Sequence, residues 1–133
     1  MLKDLDNLIP NVSIRKFVKI IIDLLKNAKA DKIAFIDVKG KSSFTDYLII
    51  CQGTSQPHCR SIAEKVELNL KKNGHNSSGM EGEREGNWVL LNYGEIIIHI
   101  FHPEIRKYYN IEEIFSNHLW LDPQENKDTQ KVK

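Results

Sequence analysis

The chain has 133 residues, 41% of them hydrophobic, with 19 lysines and arginines against 18 aspartates and glutamates and a formal net charge of +1. That length suits one ordinary domain and is short for two, while the near-zero balance supplies no whole-molecule field to hold a polyanion, so strong direct nucleic-acid binding is not expected. No apolar run approaches the roughly 18 residues of a membrane span, the N-terminus lacks a basic segment followed by an apolar one, and the two cysteines make no disulfide or metal framework, so a cytosolic protein with reduced thiols at Cys51 and Cys59 is expected.

Residues 1–12 show no sustained period and include Pro10, which predicts an N-terminal arm ahead of one domain spanning 13–121. From Ser13, the apolar residues Ile14, Phe17, Val18, Ile21, Leu25 and Ala28 recur at helical spacing, with Arg15, Lys16, Lys19, Asp23 and Lys26 mainly opposite. The pattern predicts an amphipathic helix lying on this protein's own sheet rather than on a membrane. Residues 32–38, KIAFIDV, alternate and are β-branched, as a strand requires. After a turn at 39–43, residues 46–52, DYLIICQ, form a nearly continuous apolar run of the kind buried on both faces.

Gly53, Thr54 and Ser55 then lead into a helix that runs to about Asn73 and Gly74, with Ser55 or Gln56 as N-cap and Pro57 in the first turn. Free backbone N–H groups at such a corner can hold an anion, although simple capping explains the same residues. Residues 75–80 read as a short or edge strand and 81–86 as an acidic, glycine-bounded loop.

Two apolar runs joined by Asn92-Tyr93-Gly94-Glu95 carry the strongest local signal, a β-hairpin. With Tyr93 and Gly94 as the loop, Leu91 faces Ile96, Leu90 faces Ile97, Val89 faces Ile98 and Trp88 faces His99. One hairpin face is then aliphatic (Val89, Leu91, Ile96, Ile98, Ile100) and reads as core. The other carries Trp88, Leu90, Ile97, His99 and Phe101, which suits either a second packed layer or a docking surface. Pro103 starts a helical turn with Ile105, Tyr108 and Tyr109. Asn110 and Glu113 suggest a second capped helix with Ile111, Ile114 and Phe115 inward, Leu119, Trp120 and Leu121 form a last anchor, and 122–133 has the composition of a disordered tail. The resulting fold class is α/β: a single domain with one mixed sheet flanked by helices.

The residues that suggest catalysis fall short of a site. The five histidines are scattered, and neither cysteine has a visible base. A Gly-Thr-Ser turn at a helix N-terminus resembles the phosphate-holding corner of nucleotidyltransferases. Those enzymes also need paired aspartates for metal ions, whereas Asp37 and Asp46 lie on different elements and no Asp-x-Asp occurs. A nucleotide-binding enzyme using Gly53, Thr54 and Ser55 is thus the alternative reading.

The segments IDVKGKSSFTDYLIICQGTSQPHCRSIAE, MEGEREGNWVLL and GEIIIHIFHPEIRKYY, in that order and spacing, resemble the ribosomal silencing factor family, also called Iojap, over about residues 31–115. Asn92 and Glu95 depart from the aspartates usual there. The resemblance implies a nucleotidyltransferase-like topology without the catalytic carboxylate pair, no cofactor and no known catalysis. It further implies binding to the large ribosomal subunit, chiefly through its protein fourteen, obstruction of small-subunit joining, repression of translation when nutrients are scarce, and possible homodimers. On that expectation the mixed hairpin face docks, with Trp88 as anchor, Leu90 and Phe101 as apolar surround, and Glu81, His99 and Arg106 as polar contacts at the edge.

Overall fold

The alternating runs fold as strands and the helically spaced runs as helices, and a computed structural model of the protein describes residues 2–115 and 118–120. In chain order the elements are α1 (Leu2–Leu8), α2 (Val12–Asn27), β1 (Asp31–Asp37), β2 (Tyr47–Gln52), α3 (Gln56–Lys72), β3 (Gly79–Glu81), β4 (Trp88–Asn92), β5 (Ile96–Phe101), α4 (Pro103–Tyr109), a 3-10 turn (Ile111–Glu113) and β6 (His118–Trp120). Among the described residues the strands form one six-stranded sheet in the order β3-β4-β5-β2-β1-β6, with β2 parallel to β5 and the other pairings antiparallel. This is the single-domain α/β architecture with a mixed sheet that the patterning predicts. No helix among the described residues is long and apolar enough to cross a membrane.

The aliphatic hairpin face is core. Val89, Leu91, Ile96, Ile98 and Ile100 are buried together with Tyr47, Ile49 and Cys51 of β2 and Ile33 and Phe35 of β1, beneath α1, α2 and α3. β2 lies between β5 and β1, which explains why Tyr47 to Cys51 are all buried. The helix starts are set by side-chain caps: Asn11 Oδ1 accepts the Ile14 N–H and Ser55 Oγ accepts the His58 N–H, each at 3.1 Å.

The hairpin register differs from the expectation by two residues. Trp88 pairs with Phe101, Leu90 with His99 and Leu91 with Ile98, because Gly94 and Glu95 form the loop instead of Tyr93 and Gly94. Gly94 takes φ +80°, Asn92 Oδ1 accepts its N–H at 2.8 Å, and Tyr93 N–H bonds the Ile96 carbonyl. A shift of two residues keeps side-chain parity, so both faces hold the residues expected of them.

Three other expectations change. The N-terminal arm contains helix α1, anchored by fully buried Leu5 and Ile9 one helical turn apart. Asn110 does not cap a helix through its side chain; it is the left-handed C-cap of α4, at φ 45°. Ile114, expected inward, is exposed. The region 116–117 and the tail 122–133 lie outside the described residues, as does Leu121, while the backbone of 118–120 pairs with β1.

Candidate functional site

Among the described residues the second face of the sheet is covered over β1, β2 and the end of β5 and less completely over β4. Pro103 turns the chain immediately after β5, so α4 and the 3-10 turn fold back over the second face, and Ile105, Ile111 and Phe115 pack against the cluster of Ile36, Val38, Leu48, Ile50 and Phe101. Ile97 and Trp88 pack at the margin of this cluster, and among the described residues both, with Leu90 on β4, stay half-buried. Tyr109 is 50% exposed and Tyr108 80% exposed where α4 borders this margin.

Trp88 sits at the boundary. Its ring stacks on Phe101 (4.8 Å between centroids) and meets Tyr109 (4.9 Å), and it remains half-buried rather than sealed. Its Nε1–H donates to His99 Nδ1 at 2.9 Å, which leaves the imidazole proton on Nε2. His99 is buried, and the loss of hydration pushes its pKa down to about 4, so the ring is a neutral acceptor that fixes the indole's orientation. Loop 82–86 closes beside it: Gly82, at φ +80°, lies against the Trp88 carbonyl where a side chain would collide.

The sequence-derived set therefore divides. Trp88 and Leu90 reach the less covered margin, and Glu81 is exposed on edge strand β3, paired in register with Leu90. His99 supports Trp88 from below. Phe101 is fully buried, so it is the floor of the aromatic stack and not part of an accessible surround. Arg106 is likewise no edge contact, because it is only 5% exposed. Its Nε bonds Glu112 Oε2 at 3.1 Å, and its Nη1 donates to the Lys32 carbonyl at 2.6 Å and to Gln52 Oε1 at 3.3 Å. Tyr108, Tyr109 and Ile97 complete the exposed patch. The i, i+4 spacing of Ile105 and Tyr109 is the sequence signal that places Tyr109 on the sheet-facing side of α4.

The Gly53-Thr54-Ser55 corner is occupied by its own capping. Thr54 N–H donates to His58 Nδ1 at 2.9 Å, His58 Nε2 donates to the Ala28 carbonyl at 3.0 Å, and the Gly53 and Cys59 N–H groups bond Phe101 O and Ser55 O. An imidazole thus takes the place an anion would use. A Cβ on Gly53 would lie 3.0 Å from both Cys59 N and Sγ, which shows how closely the corner packs on α3. Burial pushes the Cys51 thiol up to about 12 and raises that of Cys59, so both are inert, buried thiols. Asp37 Oδ1 accepts the Lys39 N–H at 2.9 Å and so organises the turn after β1.

Comparison with known proteins bears on what this face meets. The sequence profile of the family described as "Ribosomal silencing factor during starvation" matches residues 11–133. Ribosomal silencing factor RsfS of Zymomonas mobilis is 39% identical over 98 residues, covering 74% of each chain. The mouse protein named Mitochondrial assembly of ribosomal large subunit protein 1 is 28% identical over 74% of this chain and 45% of its own length. A crystal structure of a Chromobacterium violaceum protein superposes with a TM-score of 0.74 at 29% identity, covering 77% of this chain and 86% of that one.

Proposed function

The chain belongs to the ribosomal silencing factor family, and from that premise we propose that it is a cytosolic, non-enzymatic factor that docks the less covered part of the second face of its sheet on the large ribosomal subunit. The docking partner is chiefly that subunit's protein fourteen, and occupancy there keeps the small subunit from joining, which lowers translation when nutrients are scarce. The mouse relative's name, with its large ribosomal subunit, supports the choice of subunit.

One observation carries this reading: among the described residues, the aromatic patch of Trp88, Tyr108 and Tyr109, with half-buried Leu90 and Ile97 nearby on β4 and β5, stays partly exposed. Trp and Tyr are the residue types that dominate protein interface cores, because a large rigid apolar body can be buried while its polar tip stays satisfied. Trp88 already has its N–H bonded to His99, so a partner can bury the ring without leaving a donor unpaired. The net charge of +1 favours a protein surface over an RNA one, since phosphate contacts need clustered cations.

The protein is expected to co-sediment in sucrose gradients with purified large subunits and not with small ones, and to reduce the yield of joined subunits when added before mixing. Migration at the top of the gradient with either subunit would contradict the proposal. A dimer by light scattering, together with that failure, would assign the patch to self-association.

A further inference from the structure

The core side of the sheet, opposite the aromatic patch, carries a cavity of about 380 Å³ where three segments meet: the first turns of α2, the turn after α3 and the β4–β5 hairpin. That volume is within the range of small-molecule sites. Phe17, His75 and Tyr93 form its aromatic wall, with Ile14 and Ile96 beside them. His75 stacks on Phe17 at 4.3 Å between centroids, and Tyr93 meets Phe17 edge to face at 5.5 Å. The backbone fixes this wall in place: Gly74, at φ +90°, ends α3, and the His75 N–H bonds the Leu70 carbonyl at 2.8 Å.

We propose that this cavity binds a small primary amine with an apolar body, the ammonium group facing Glu95 and the body lying against the aromatic wall. Glu95 is exposed and lines the cavity, and among the described residues no lysine or arginine lines it or forms a salt bridge with Glu95. Asn11 Oδ1, also at the rim, is taken by the Ile14 N–H, so the ionic contact falls to Glu95. Its position is set through the backbone: Asn92 Oδ1 accepts the Gly94 N–H at 2.8 Å, and the Glu95 carbonyl accepts the N–H groups of Asp46 and Tyr47. An ammonium group here is attracted by the carboxylate and by the negative faces of the neighbouring rings, while its apolar body leaves water for the wall.

Tyr93 gives independent support. Its hydroxyl is buried and has no hydrogen-bond partner among the described residues. Burial, with the Glu67 carboxylate nearby, pushes its pKa up to about 12, so the phenol stays neutral and its oxygen can accept a bond. A buried hydroxyl left unbonded is costly, and an N–H donor entering from the cavity removes that cost. Glu67 and Glu95 together make the surroundings of this phenol negative, which selects a cation over an anion. The site lies across the sheet from Trp88, Tyr108 and Tyr109, and its test is independent of ribosome binding.

The test is titration of the full-length protein at neutral pH, followed by ¹H–¹⁵N NMR, with three probes that share one apolar body: phenethylamine, phenethyl alcohol and phenylacetate. The expected result is saturable shifts at the His75, Asn76 and Glu95 amides with phenethylamine, at least tenfold tighter than with the alcohol, and none with phenylacetate. Glu95→Gln, at an exposed position, is expected to weaken binding of the amine about fivefold, the equivalent of about 1 kcal/mol, with the rest of the spectrum unchanged. No saturable shift with phenethylamine at millimolar concentration, equal binding of the alcohol, saturable binding of phenylacetate, or unchanged affinity in Glu95→Gln would each overturn the proposal.

Discussion

Arg106→Ala is expected to lower the free energy of unfolding by about 3–5 kcal/mol, a large part of what holds a domain of this size together. The guanidinium ties α4 to the start of β1 through the Lys32 carbonyl, to the end of β2 through Gln52 and to the 3-10 turn through Glu112. Truncation leaves the Glu112 carboxylate buried without its counter-charge and removes the donor for a carbonyl whose residue is held left-handed. The double variant Arg106→Met/Glu112→Leu is expected to recover most of the loss, because an apolar pair of similar volume needs no compensation. Urea denaturation of both variants checks this; a single variant within about 1 kcal/mol of wild type would return Arg106 to the solvent-facing role that its sequence position suggests.

The second large effect is on pH dependence. His99 titrates near 6.5 when unfolded but is held down to about 4 in the folded protein by burial. Between those values the unfolded chain binds a proton that the folded chain does not, so stability falls as the pH is lowered. The contribution is fully present above about pH 6.5 and is lost on descending through pH 4, to a total of about 3 kcal/mol. His99→Asn retains an acceptor for the Trp88 indole and removes the titration. From pH 7 to pH 4.5 the wild type is therefore expected to lose about 2–3 kcal/mol more than the variant in urea melts. Parallel curves would show that His99 exchanges protons with solvent as freely as an exposed imidazole.

Side-chain alternation made the sheet legible because it is robust to small errors. Misplacing the loop by one residue changed every partner in the hairpin by two positions and moved no side chain across the sheet. The aliphatic core, the Ser55 cap and the central position of β2 were readable for the same reason: each rests on local chemistry or simple periodicity. The errors involve tertiary contacts that no local pattern encodes. α1 has only seven residues, too few for a period to emerge, yet packing on the core of Leu5 within it and of Ile9 just beyond its end stabilises it.

Arg106, on a short helix beside Lys107, reads as a surface cation until the fold brings Lys32, Gln52 and Glu112 around it. Phe101 alternates correctly onto the second face but is covered because Pro103 reverses the chain over it. The candidate site was thus legible in its position and in Trp88, Leu90 and Glu81. Its contribution from α4, chiefly Tyr109, appears only when the helix is placed.

That placement also selects the best probes of docking. Trp88 stacks on buried Phe101, so truncating it would disturb the fold as well as any interface. Leu90 and Tyr109 are partly exposed at the less covered margin and can be changed with less effect on the interior. The most direct measurement is sucrose-gradient co-sedimentation of Leu90→Asp/Tyr109→Ala with purified large subunits, alongside wild type and with circular dichroism confirming the fold. The account predicts that the folded double variant loses at least a hundredfold in affinity, about 3 kcal/mol, from a buried charge and a missing aromatic anchor. A folded variant that co-sediments as well as wild type would contradict it.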